Sequence, residues 1–265
     1  MTAFITTAKK AVMEAGKILR AGFLKPHKLI YKQAHYQAIA TSVDFASERM
    51  IRAIIHRAYP THALLGEERG MTNGTPSPYL WIIDPVDGTT NYVHGVPMFN
   101  VTVALQKDGR TILGAVYQPI TDEFFFAIRD RGAWLNNDRM HVSSQKNIQK
   151  AYGFLEWNSE DPAVNARGLR IFTTLRERHI RVRNIGSGAL VFTYIGAGRG
   201  EYAMSVDSKL WDVAAASLII REAGGRVTDF NGRDPEHVWK KNPLATCPLL
   251  VTNGKIHQSL LRLVQ

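Results

Sequence analysis

Three segments of this chain set carboxylates where an apolar run gives way to a loop or where a helix opens. They are Gly66-Glu67-Glu68, the run Asp84-Pro85-Val86-Asp87-Gly88-Thr89-Thr90, and Trp211-Asp212. Carboxylates that converge in a cleft repel one another and lose hydration, so they take up protons unless a cation compensates them. Oxygen-only donors suit hard cations such as Mg2+, and the chain has no Cys/His set suited to zinc. Two such ions ~3.5–4 Å apart can activate a water and neutralise the leaving oxygen of a phosphoryl transfer.

The middle segment carries the most information. Trp81-Ile82-Ile83 reads as a buried strand, so Asp84 emerges at its C-terminal edge, where sheet proteins place their chemistry. Pro85 cannot extend a ladder and turns the chain. Asp87 follows close enough to share an ion with Asp84. Gly88, Thr89 and Thr90 have no bulky side chains, and a helix beginning there would aim its amides at a phosphate. Taken alone, Glu67-Glu68 reads as a solvated loop, Asp212 as a helix N-cap and Asp44 as a helix edge. Two acids flanking a proline after a fully apolar strand are not explained by folding, and they lend weight to the others.

The elements that must position these acids follow from periodicity. Ile5, Ala8, Val12, Ala15, Leu19 and Gly22 recur at spacings of three or four, predicting an amphipathic helix over Thr2 to Phe23. A second helix runs from about Val43 to Tyr59, capped by Thr41 or Ser42 and ended by Pro60. Ala63–Leu65 and Leu80–Ile83 are short strands. Strands succeed one another from Asn100 to Ala127, with Lys107-Asp108-Gly109 as a turn. Further on, Tyr152–Trp157, Ile180–Ile185, Arg226–Asp229 and Leu249–Thr252 read as strands. Pro162–Glu177, Gly188–Ala197, Trp211–Ala223 and Ile256–Leu263 read as helices. Polar Ser144 to Gln149 can separate two halves. The class is α/β or α+β, with helices on the faces of large sheets.

A chain of 265 residues, 45% hydrophobic and 21% charged, has the profile of a globular protein of one large domain or two packed halves. No stretch is apolar enough to span a bilayer, and Met1 to Lys25 shows no signal-peptide core. A single cysteine, Cys247, excludes an internal disulfide framework and fits the cytoplasm. The net charge of +10 would attract anionic substrates. Its scatter, in doublets such as Lys9-Lys10 and Lys240-Lys241 with no long basic run, argues against nucleic acid as the main partner.

The acid segments in this order, with Asn91-Tyr92, Gly186-Ser187-Gly188-Ala189, Gly196-Ala197-Gly198, Val213-Ala214-Ala215 and Glu222-Ala223-Gly224-Gly225, resemble the inositol monophosphatase family of lithium-sensitive, metal-dependent phosphatases. The likeness runs from the first helix to Thr252-Asn253-Gly254. It implies a layered αβαβα sandwich and a homodimer. The phosphatase domain would fill 1–265, with a metal- and phosphate-binding half over about 1–145 and a recognition half over about 146–265. Glu67, Asp84 and the carbonyl of Val86 would hold one Mg2+. Asp84, Asp87 and Asp212 would hold a second, and a third site would lie near Glu67. Thr89 would pair with Asp44 and, with Glu67, position the attacking water. Gly88 and Thr89 amides would receive the phosphate, while Asp87, Gly188, Ser205 and Asp212 would face the substrate.

The implied reaction is hydrolysis of a small phosphorylated polyol or sugar, such as inositol monophosphate. The chain departs from the family at Ala38 and Ser205, where members carry acids; Asp207 is near enough to stand in for the second. The ester is therefore open, and fructose bisphosphate, histidinol phosphate and nucleotide 3′- or 2′-phosphates also fit. Two rival enzymes are disfavoured. Phosphatases that form an aspartyl phosphate separate their aspartates by one residue, whereas Pro85 and Val86 both intervene here. The run Gly196-Ala197-Gly198-Arg199-Gly200-Glu201 lacks the dinucleotide-binding spacing. An RNA- or transcription-associated regulator on the same scaffold is the non-enzymatic alternative. Substituting Asp87 or Asp212 with Asn should abolish turnover and leave folding little changed.

Overall fold

The chain opens with helix α1 (Thr2–Gly22), a short hairpin β1 (Leu29–Tyr31) and β2 (Ile39–Thr41), and helix α2 (Ser42–Ala58). Strands β3 (Ala63–Gly66), β4 (Gly70–Met71) and β5 (Tyr79–Asp87) follow, then the short helix α3 (Thr89–Val93). A meander of β6 (Asn100–Lys107), β7 (Arg110–Gln118), β8 (Glu123–Ile128), β9 (Gly132–Leu135) and β10 (Asp138–Arg139) closes the first half. The second half runs β11 (Tyr152–Glu156), α4 (Pro162–Glu177), β12 (Arg181–Arg183), α5 (Gly188–Gly196), β13 (Tyr202–Ser208) and α6 (Leu210–Glu222). It ends with β14 (Arg226–Thr228), α7 (Glu236–Lys241), β15 (Cys247–Thr252) and α8 (His257–Val264). This computed structural model describes residues 1–31, 39–72, 77–157, 159 and 161–265, so Ala38 lies outside the described residues.

Among these residues there are two large sheets. One has eight strands in the order β10-β9-β8-β7-β6-β5-β3-β4, and the other has five in the order β12-β11-β13-β15-β14. Most pairs are antiparallel; β3–β5, β11–β12 and β11–β13 are parallel. The layers follow from side-chain alternation. On β5, Trp81 and Ile83 join Leu19 of α1 and Ile51 and Ile55 of α2 in an outer core, whereas Ile82 joins the central core. That central core is filled by α5 and α6 between the sheets. Helix α6 is buried nearly all round, from Leu210 to Ile220, as a helix between two sheets must be. Gly114 of β7 allows this contact, since a Cβ there would lie 2.5 Å from Ala215 O. On the far face, Tyr202, Met204 and Val206 of β13 pack against Ile171 and Leu175 of α4 and Leu260 of α8. The order is helix, sheet, helix, sheet, helix.

Most elements fall within a residue or two of their sequence-based bounds. Periodicity did not show β1, β2, β4, β9, β10 or β13, and β5, expected to end at Ile83 with Pro85 turning the chain, continues through a bulge to Asp87. In β13, Ala203 and Ser205 are small yet buried, because both faces of the strand are covered there. The strand expected over 180–185 stops at Arg183, where the next amides bond a side chain instead of a ladder.

Candidate active site

Asp84 and Asp87 are three residues apart, so a regular strand would put them on opposite faces. A β-bulge prevents this. Asp84 pairs with Thr102 and Asp87 with Asn100, which leaves one surplus residue in β5 where Pro85 has no amide to donate. The bulge turns both carboxylates toward α5 and α6. Val86 N donates to Asp84 Oδ1 at 3.0 Å.

Glu67 follows β3, the parallel neighbour of β5, and its amide continues the ladder by donating to Ile83 O at 3.2 Å. Asp212 is the third residue of α6 and not its N-cap; it accepts from the amide of Lys209, the capping residue, at 2.8 Å. The four acids meet electrostatically. Asp84 is 2% exposed, and burial drives its carboxyl well above the usual range. Repulsion from Glu67, Asp87 and Asp212 and a side-chain hydrogen bond to Glu67 push it further. Burial, with Glu67 and Asp87 adding to it, pushes Asp212 up to about 8.

Asp44 is the third residue of α2 in a capping box with Thr41. Its Oδ2 accepts from Thr41 N at 2.8 Å and Thr41 Oγ1 at 2.6 Å. Its Oδ1 stands 3.0 Å from Thr89 Oγ1, which is also 3.0 Å from Val86 O. Burial raises the Asp44 carboxyl against these bonds. Gly88 takes a left-handed backbone, φ 91°, and opens α3. A Cβ there would lie 2.8 Å from Met98 O and 3.2 Å from Ser187 Cβ.

Asp87 is held from the other half. Its Oδ2 accepts from Asn100 Nδ2 and Ser187 Oγ, each at 2.6 Å, and from Ala189 N at 3.0 Å, while Gly188 N reaches Oδ1 at 3.1 Å. It thus caps α5, whose own N-cap Ser187 makes no side-chain cap. Burial nonetheless raises its carboxyl. Among the described residues, no three His, Cys, Asp or Glu side chains stand arranged as a ready metal cage. The donor set still fits a hard dication: clustered carboxyl oxygens, with Asp84, Asp87 and Asp212 held above the usual carboxylate range chiefly by burial.

Several site residues escaped the sequence reading. Glu156, at the end of β11, accepts from the amides of Ile185 and Gly186, each at 2.8 Å, and burial lifts it to about 7. Asn91 Nδ2 donates to Ile185 O and Met98 O, both at 2.8 Å, clamping the same dipeptide from the other side. An acid inside the run Phe154-Leu155-Glu156-Trp157 was the available signal. Ser205 lies at a second bulge, in β13, and pairs with Glu156 across the ladder. Gly188 has open space beyond its Cα.

A model of the inositol monophosphatase family matches residues 1–265. "Nus factor SuhB" of Pseudomonas aeruginosa is 37% identical over 238 residues, covering 88% of this chain and 87% of the relative. "Inositol-1-monophosphatase" of Rhizobium meliloti is 33% identical over 269 residues, covering 100% and 97%. The crystal structure of the extragenic suppressor protein suhB from Bartonella henselae superposes with a TM-score of 0.90 at 30% identity, covering 99% of this chain and 98% of that one. With the family model spanning every residue, the chain belongs to the inositol monophosphatase family.

Proposed function

We propose that the chain is a Mg2+-dependent phosphomonoesterase acting on a small phosphorylated polyol or sugar. The observation that carries this reading is the buried carboxyl of Asp84, surrounded by Glu67, Asp87 and Asp212. Glu67, Asp84 and the carbonyl of Val86 would hold one ion, and Asp84, Asp87 and Asp212 a second. Bound there, Mg2+ would act as a Lewis acid and lower the pKa of a water.

The chain's own residues do the rest. Thr89 has one hydroxyl proton, and donating it to Asp44 Oδ1 leaves the oxygen lone pairs to accept from the attacking water. Asp44, buried and fixed by Thr41, keeps that hydroxyl from rotating. Glu67 stands beside Asp84 to take the proton that the water loses. The amides of Gly88 and Thr89 would bind the phosphate oxygens. Gly188 and Ser205 would face the alcohol portion. A panel of phosphate esters assayed with Mg2+ and after chelation tests the reading; no Mg2+-dependent hydrolysis of any member would overturn it.

A second reading rests on a separate observation. Arg176, Arg178, His179, Arg181 and Arg183 are all exposed around β12, which among the described residues is the edge strand beside β11. The scatter expected of the basic residues does not hold there, and one relative is named a Nus factor. Such a surface suits RNA. RNA retention that collapses with salt, and is lost in R181E/R183E, would support this role beside or in place of catalysis.

A further inference from the structure

Helix α2 presents polar residues along a stripe that belongs to the core. Asp44, Ser47 and Glu48 are all 0% exposed on the same face as Ile51 and Ile55. Asp44 serves Thr89, and Ser47 Oγ donates to Pro85 O at 3.0 Å, steadying the bulge. Glu48 reaches the other acid-bearing segment. Its Oε2 accepts from Glu68 N at 2.8 Å, and its Oε1 accepts from Arg52 Nε at 2.6 Å. Arg52 Nη2 in turn donates to Gly70 O at 2.6 Å. Glu48 also presses on the residue before Glu67: a Cβ at Gly66 would lie 2.3 Å from Glu48 Oε1 and 2.9 Å from Arg52 Nη2. The pair therefore grips residues 66, 68 and 70, and Glu67 is left between these contacts with its own amide on Ile83 O.

Burying an ion pair adds little stability, because desolvation consumes the Coulombic gain, and apolar residues of similar volume often serve as well. A pair whose two ends bond backbone groups on one turn has a geometric effect instead. It fixes where the turn stands relative to β5, and so where the Glu67 carboxylate stands relative to Asp84.

We infer that Glu48, backed by Arg52, is a positioning residue that places Glu67 and so sets the affinity for the divalent cation. The inference rests on Glu67 being a metal ligand, as proposed above. In this assignment Glu48 acts through Glu67 and is itself neither a metal ligand nor a substrate contact.

The test is calorimetric titration of Mg2+ into metal-free protein, with thermal unfolding recorded on the same samples. E48Q, which keeps the shape but not the charge, should bind Mg2+ about 10- to 100-fold more weakly. Its kcat should return toward wild type as Mg2+ is raised. E48M/R52L refills the buried volume with apolar atoms; it should unfold near the wild-type temperature yet retain the weakened affinity. G66A should mimic E48Q, and should add little in an E48A/R52A background, where both groups it collides with are gone. Wild-type Mg2+ affinity in both E48Q and E48M/R52L would overturn the inference alone. So would affinity and unfolding temperature falling together in every variant, which would mark a merely structural pair. A wild-type protein that binds no Mg2+ would overturn the metal reading itself, and this inference with it.

Discussion

The carboxylate of Asp87 lies 2.6 Å from the hydroxyl of Ser187, one hundred residues further along the chain. With the amides of Gly188 and Ala189 on the same carboxylate, the first half of the molecule caps the first helix of the central layer that the second half supplies. Asn at 87 would turn an amide NH2 toward some of these donors. D87N should therefore lose turnover and also lose about 1–3 kcal/mol of stability, read as a lowered Tm in metal-free protein. Where the sequence alone suggests little change in folding, these hydrogen bonds predict a loss.

D212N is the contrasting case. Asn keeps an acceptor for Lys209 N and replaces a carboxyl whose ionised form burial and its acidic neighbours disfavour. Turnover should vanish while the metal-free Tm holds or rises, and the Tm increase on adding Mg2+ should shrink. Full hydrolytic activity in this variant would remove Asp212 from the site.

T89V keeps the volume of the side chain and deletes the hydroxyl that faces Asp44 Oδ1. A water left without its acceptor loses orientation, and kcat at saturating Mg2+ should fall by about 10²-fold or more. Steady-state assays at several Mg2+ concentrations separate this from weakened metal binding.

His257 gives a pH dependence away from the site. Its ring is 1% exposed between the hydroxyls of Thr228 and Thr252, at 3.0 and 2.9 Å, and burial lowers it from 6.5 to about 4. The unfolded chain binds this proton more readily, so its neutral form contributes stability above about pH 6.5 that is lost as pH falls toward 4. The loss is at most roughly 3 kcal/mol. Denaturant melts of wild type and H257Q between these limits should converge at low pH.

Lithium supplies a test that follows from family membership. A small monovalent cation competing for one Mg2+ position should depress turnover at millimolar concentration, and more Mg2+ should restore it. Undiminished turnover would count against a shared ion site.

Helices α1, α2 and α4 were legible from their apolar stripes, and α2 also from its stop at Pro60. The acids of β5 were legible because Asp84-Pro85-Val86-Asp87 interrupts an apolar strand. What periodicity could not reveal was parity: nothing local says that a bulge puts Asp84 and Asp87 on one face. Nor could it show that Asp87 would cap α5. That bond depends on how two sheets stack, which no short window of sequence encodes. Glu48 and Glu156 left fainter traces, as acids at positions whose neighbours in the helix or strand belong to the core.

Gly88 narrows the routes by which this sequence can change. Any other residue at this position introduces a β-carbon. At this residue the atom would be a wedge driven between Met98 O and the loop at Gly186 and Ser187, 2.8 to 3.3 Å away. The damage would not stay local, since parting those segments pulls α3 from the start of α5. Gly188 is the opposite case, since a side chain there would meet no neighbour within 4 Å, and change at that position costs the fold far less.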